Sequence, residues 1–221
     1  MTPFFSIIVV CLNPGEKLLQ TLQSIQKQEF RDYEIVLKDG GSTDGSLQKL
    51  DPEQFGLHVV TKPDRGIYDA MNQAVEEAKG RFVFFLNCGD WFMDEQVLAD
   101  MHDRIAGQEQ TGTERSAIYY GNVYERVTGQ LVSSNPKLNA FGCYRNVPCH
   151  QACFYERELL LRHPFQLEYR VRADYEQFLW CFFEAKANPF YTGITVADYE
   201  GGGLSLIRIS EPTRHAQISY A

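Results

Sequence analysis

Asp39-Gly40-Gly41-Ser42-Thr43-Asp44-Gly45 sets two carboxylates around closely spaced glycines. Glycines after a strand let the backbone approach a ligand, and a carboxylate at the strand end accepts hydrogen bonds from a base or a sugar. Taken alone, the string reads equally as a tight turn with a helix cap. Asn87-Cys88-Gly89-Asp90 adds a further carboxylate after the apolar run Phe82 to Leu86. A hard divalent cation bridging phosphate oxygens needs only one or two protein carboxylates, so Asp90 suffices in principle. Its other reading is a cap for a helix starting near Met93 or Asp94.

Arg65 stands just before a helical pattern, where a cation and a helix N-terminus together favour anions such as a diphosphate. Asp69 and Asn72 follow at i and i+3 on one helix side and read also as packing polar residues. Asp174 opens an amphipathic helix with Phe178, Leu179 and Phe182, and a first-turn carboxylate stays ionised and suits a general base. Glu176 is the competing base, on a different side of that helix. His150-Gln151 lies beside Cys149 and Cys153, but C-x5-C-x3-C does not match zinc knuckles, and buried thiols are the better reading. No G-x-S-x-G, phosphate loop of the G-x-x-x-x-G-K type or H-E-x-x-H occurs.

These residues need elements to carry them. The β-branched run Ser6 to Cys11 is followed by Asn13-Pro14, read as N-cap and first helical residue, and by Leu18, Leu22 and Ile25 at helical spacing. Ile35 to Leu37 is a second strand, with Thr43 or Asp44 capping a short helix through Leu47 and Leu50. Leu57 to Val60 is a third strand, Ile67 to Lys79 a helix and Phe82 to Leu86 a fourth strand. Such alternation predicts a mainly parallel sheet flanked by helices, with ligands beyond the carboxyl ends of the strands, where Asn13, Asp39 to Asp44 and Asn87 to Asp90 all fall. After residue 107 a polar loop, Gln108 to Arg115, leads into strand-like Ile118 to Tyr120 and Val123 to Val127, a turn at Thr128-Gly129, helices near Glu156 to Leu161 and Asp174 to Ala185, and a strand from Phe190 to Val196. This half reads as a mixed extension of the same sheet.

The chain has 221 residues, 44% hydrophobic and 23% charged, enough for one globular α/β domain. Its charge of −8 argues against a nucleic-acid partner, so any phosphate must meet a local site. The longest nearly apolar run, Phe4 to Leu12, is about half of the roughly 20 residues of a spanning helix and lacks signal-peptide flanks. Six cysteines in a chain of this size read as free thiols of a cytoplasmic protein. Residues 204–221 resemble the translated end of a transposon-type sequencing adapter, so the domain is expected to span 1–203, with halves of about 1–107 and 108–203 and a read-through tail after it.

Together, Ser6 to Asn13, Asp39 to Gly45, Gly66-Ile67-Tyr68-Asp69-Ala70-Met71-Asn72, Phe85 to Trp91, His150-Gln151 and Ala173-Asp174-Tyr175 resemble family 2 glycosyltransferases, most of all the bacterial branch that builds exopolysaccharide, capsule or lipopolysaccharide. The resemblance implies a GT-A fold, a nucleotide-sugar donor (UDP-linked by expectation), Mg or Mn, and inversion at the anomeric carbon. It assigns Val10, Leu12, Asn13, Asp39 and Gly41 to the nucleoside, Arg65, Asp69, Asn72 and Asn87 to the rest of the donor, Asp90 to the metal and Asp174 to the base. His150, Gln151, Trp91 and Glu176 fall to the acceptor and donor pocket. Where many members carry two acidic residues at the metal motif, this chain has Gly89 before Asp90. The implied acceptor is a saccharide or lipid-linked saccharide, met by a cytoplasmic protein peripheral to the inner face of the membrane.

Two other readings stand beside this one. A sugar-phosphate nucleotidyltransferase needs a glycine-rich basic loop after the first strand, but Cys11 to Lys17 carries a single basic residue. An inactive nucleotide- or sugar-binding module is disfavoured by retention of both Asp90 and Asp174.

Overall fold

The computed structural model describes residues 2–110 and 117–201. β-Branched and aromatic runs form its centre. β1 (Phe5–Cys11) is buried along its whole length, which a strand covered on both faces requires. Then come α1 (Lys17–Gln26), β2 (Tyr33–Asp39), α2 (Pro52–Phe55), β3 (Leu57–Thr61), α3 (Ile67–Glu77), β4 (Phe82–Phe85), β5 (Trp91–Phe92), α4 (Val97–Glu109), β6 (Ala117–Glu125), β7 (Gln130–Val132), α5 (Ala140–Arg145), β8 (Cys153–Glu156), α6 (Arg157–Arg162), α7 (Ala173–Phe183) and β9 (Asn188–Tyr199).

The strands make one sheet in the order β3-β2-β1-β4-β8-β6-β9-β5, with β7 paired to β6. β1, β2, β3 and β4 are parallel. From β8 onward the sheet is mixed, antiparallel at β4/β8, β6/β8, β6/β7 and β5/β9 and parallel at β6/β9. The sheet is thus parallel in its first half and mixed in its second, as the sequence pattern implies: the parallel half keeps its helical crossovers, whereas the β6–β7 hairpin turns directly at Thr128-Gly129. The two segments expected around residue 121 are one strand with register shifts against β9. Gly121 permits this, since a Cβ there would lie 2.1 Å from the Ile194 carbonyl oxygen.

Apolar side chains cover both faces. One core joins Phe5, Ile7, Val9, Leu22, Phe84, Met101 and Phe154; the other joins Ile8, Val36, Met71, Val75, Phe85, Tyr155 and Phe178. Each fully buried Phe or Val contributes roughly 1.5–3 kcal/mol, so Phe82–Phe85 alone anchors the middle of the sheet.

Two local expectations change. Asn13-Pro14 does not start α1, which begins at Lys17 after an uncapped Glu16; Asn13 instead adopts φ 50 and its side chain accepts from the Thr43 N–H at 2.8 Å. Asp44 does not cap a helix either, because it binds Ser46 and the Gly15 N–H. Residues 111–115 of the expected polar loop, the boundary at 203 and the 204–221 tail lie outside the described residues. No described helix is long and apolar enough to cross a membrane.

Candidate active site

β1, β2 and β4 end side by side, and their loops are laced together. The Asn13 N–H donates to Ser42 Oγ at 2.8 Å and the Gly15 N–H to Asp44 Oδ2 at 2.9 Å. Beside this lacing lies a cleft of about 450 Å³ lined by Val10, Leu12, Asn13, Lys17, Ile67 and Asn87. Asp39 does not line it: only 2% exposed, its carboxylate accepts from the Ser42 N–H and Oγ and so shapes the Gly41 loop from behind. Behind Asp39, the fully buried Lys38 ammonium donates to Asp64 Oδ2 at 3.0 Å and to the Lys62 carbonyl at 2.6 Å. A lysine directly after the apolar run Ile35 to Leu37 was the sequence signal for this pair.

A second cavity, about 860 Å³, shares Ile67 and Asn87 with the cleft and reaches His150, Gln151 and Asp174. Asp174, in the first turn of α7, accepts from Tyr68 Oη at 2.8 Å through Oδ1, and His150 Nδ1 lies 3.1 Å from Oδ2. His150 Nε2 stands 3.1 Å from Asn87 Nδ2, so Asn87 holds the far side of the ring whose Nδ1 faces Asp174. Burial pushes the Asp174 carboxyl up, but the His150 hydrogen bond and charge and the Tyr68 hydroxyl outweigh it and hold the group at about 2. Asn87 Oδ1 is buried without a partner at the junction of the two cavities.

Asp90 sits in a turn clamped from three sides. Gly89, at φ 99, turns the chain, its N–H donating to Thr21 Oγ1 at 2.9 Å and its carbonyl accepting from Arg126 Nη2 at 2.7 Å. Asp90 Oδ1 accepts from the Glu200 N–H at 2.9 Å, with Arg126 Nη2 at 3.9 Å. Burial raises its carboxyl to about 6, opposed by the Glu200 N–H and by the His150 and Arg126 charges. Among the described residues no three His, Cys, Asp or Glu side chains gather around a cation position. Asp90 lines neither cavity, the cleft reaching only its neighbours Asn87 and Cys88, and a single carboxylate suits a hard divalent cation whose other ligands are diphosphate oxygens and water.

Five expected site residues are placed elsewhere. Asn72 clamps the Phe165 backbone through both amide atoms, each at 2.9 Å, and so braces α3. Glu176 turns away from Asp174 and holds His163 Nε2 at 2.9 Å, as its different helix side requires. Trp91 is covered by the Arg126 guanidinium at 3.5 Å, and that arginine also pairs with Asp198 at 2.6 Å. Asp69 Oδ2 accepts from the Arg65 N–H at 2.9 Å and lies 3.3 Å from Nε; Arg65 itself is mostly exposed outside both cavities. The six cysteines are free thiols, and four of them are buried.

A parallel half-sheet with a cleft at its carboxyl edge, continued by a mixed half that brings the Asp174 carboxylate into the adjoining cavity, defines a GT-A glycosyltransferase domain. The glycosyl transferase family 2 model matches residues 6–161, and the chain belongs to that family. A PGL/p-HBAD biosynthesis glycosyltransferase of Mycobacterium bovis (strain BCG / Pasteur 1173P2) is 37% identical over 211 residues, covering 92% of this chain and 79% of its own. Glycosyltransferase GlyG of Streptococcus pneumoniae serotype 4 is 28% identical over 140 residues, covering 59% and 46%. Among solved structures, Staphylococcus aureus TarS 1–349 in complex with UDP-GlcNAc superposes with a TM-score of 0.71 at 22% identity, covering 98% of this chain and 61% of that one. Mannosyltransferase PcManGT of Pyrobaculum calidifontis, in complex with GDP-Man and Mn2+, gives 0.64 at 18% identity, covering 95% and 61%. The chain thus spans less than two thirds of either solved protein.

Proposed function

We propose that this protein is an inverting transferase that moves a sugar from a nucleoside diphosphate donor, UDP-linked, to a hydroxyl of a saccharide or lipid-linked saccharide during cell-surface polysaccharide assembly. The observation that carries this reading is the junction at Asn87, where the cleft at the β1 edge opens into the cavity holding Asp174. Val10, Leu12 and Asn13 line the nucleoside side, with the Gly41 loop shaped by Asp39. Arg65, exposed two residues before Ile67 of the cleft wall, would part from Asp69 to meet the diphosphate. Asp90 would hold Mg or Mn, which when bound supplies positive charge against the departing diphosphate. That the TarS structure holds UDP-GlcNAc and the PcManGT structure GDP-Man with Mn2+ supports a nucleotide-sugar and a metal here.

Asp174 takes the proton of the acceptor hydroxyl while that oxygen attacks the anomeric carbon from the face opposite the leaving group. A carboxylate held near 2 does not strip a resting hydroxyl; it receives the proton as the new C–O bond forms and the hydroxyl turns acidic. Each Asp174 oxygen gives one lone pair to Tyr68 or His150 and keeps another for the acceptor. His150 and Gln151 line the acceptor side. Exposed Phe141 and Tyr144 on α5, beside the mouth, support an acceptor with a lipid portion and a protein working at the inner face of the membrane.

Calorimetric titration of UDP, GDP, dTDP and CMP, each with and without Mn2+, tests the donor reading. Metal-dependent uptake of one nucleotide is expected. A folded chain that takes up none of them would sink it.

A further inference from the structure

The large cavity carries a charge opposite to that of the molecule around it. The chain has a net charge of −8, yet among the described residues Asp174 is the one acidic side chain lining the cavity, while Arg145 at the end of α5 and Arg172 just before α7 line it too. Between Glu125 and Glu156 the chain has no acidic residue at all, and this stretch supplies much of the cavity wall. Arg65, Arg81 and Arg126 are each paired with carboxylates. The Arg145 and Arg172 side chains have no hydrogen-bond or ion-pair partner among the described residues. Asp174 does not quench them, because its oxygens go to Tyr68 and His150.

Both arginines are exposed, and what the structure fixes is the backbone that carries them. Tyr175 Oη donates to the Cys143 carbonyl at 2.8 Å and the Tyr144 carbonyl at 3.2 Å, tying the end of α5 to the first turn of α7. Arg172 itself is left-handed, at φ 67 and ψ 28, a conformation that strains a residue carrying a Cβ. Its carbonyl accepts from the Tyr175 and Glu176 N–H groups, so α7 begins from this strained residue two positions before Asp174. Such strain persists only where the surrounding structure enforces it.

We infer that Arg145 and Arg172 form an anion subsite for the acceptor. The saccharide receiving the sugar carries a phosphate or a carboxylate, and that group, held by the two guanidinium forks, brings the attacking hydroxyl to Asp174. This rests on reading the large cavity as the acceptor side.

The test is calorimetric binding of glucose 6-phosphate, glucuronate and glucose to the full chain, with and without saturating UDP in the donor cleft. At least one charged sugar is expected to bind about tenfold tighter than glucose, with the preference shrinking as salt rises. Preference for the phosphate or for the carboxylate identifies the anion. Arg145→Gln with Arg172→Gln removes the preference, and Arg145→Lys retains part of it. Equal binding of all three sugars, or an undiminished preference in the double variant, overturns the proposal. Should circular dichroism show the double variant unfolded, Arg145→Gln alone carries the test. Failure to take up UDP counts against the transferase reading instead, and leaves the ranking of the sugars as the measure of the subsite.

Discussion

The hydroxyl of Tyr68, in the first turn of α3, donates to Asp174 Oδ1 at 2.8 Å across 106 residues of sequence. Burial and then the Asp174 charge drive the Tyr68 hydroxyl well above its ordinary range, so it remains a donor at every working pH. Tyr68 therefore positions the base. Tyr68→Phe is expected to lower kcat about tenfold while leaving donor KM unchanged. The acid limb of its pH-rate profile should move upward, because Asp174 loses one of the bonds that hold it low; a profile identical to the parent's would remove Tyr68 from this role.

Asp174→Asn keeps the shape of the side chain and discards the base. Turnover should drop about 10²–10⁴-fold, with nucleotide affinity within about twofold of the parent by calorimetry. Retained turnover would transfer the role to another group.

Asp174 and Asp90 give opposite pH dependences of stability. Asp174 falls from an ordinary 3.8 to about 2, so its stabilisation is present above about 4 and is lost as pH falls toward 2. Asp90 rises from 3.8 to about 6, so the fold loses stability as pH climbs from about 4 through 6 and the buried carboxyl ionises. Asp90→Asn should therefore stabilise the protein at neutral pH by about 1–2 kcal/mol while abolishing metal-dependent nucleotide binding. A melting temperature below the parent's at pH 7 would contradict this.

Asn72→Ala removes both hydrogen bonds to the Phe165 backbone and leaves a buried carbonyl and N–H unpaired. A loss of about 1–3 kcal/mol in urea unfolding is expected, with nucleotide affinity unchanged. Weakened nucleotide binding at full stability would return Asn72 to the donor site.

What could be read along the chain was whatever sits in continuous patterns. The apolar runs of β1, β2 and β4 announce buried parallel strands, and the polar residues just past them announce the cleft. Asp90 and Asp174 stand out because each follows or opens an element. α5 escaped because its six residues show too little period, and only the Asn139 side chain accepting from the Gly142 N–H marks its start. Arg126 escaped for a different reason. Its partners Gly89, Trp91 and Asp198 come from distant segments, and only the assembled mixed half of the sheet brings them together. Asn72 and Glu176 misled because helix-face arithmetic says which residues share a side but not what faces that side.

Lys17, at the start of α1, meets Glu200 at 2.7 Å across 183 residues, and Glu200 supplies the N–H that holds Asp90. The donor edge is thus closed by a residue that a ribosome delivers long after the parallel half. Local βα units can form while synthesis continues, but contacts this far apart in sequence form late and slowly. Nucleotide binding should accordingly be absent from nascent chains stalled before residue 200, even with the parallel half already folded, which makes it a reporter of the moment Glu200 docks on α1.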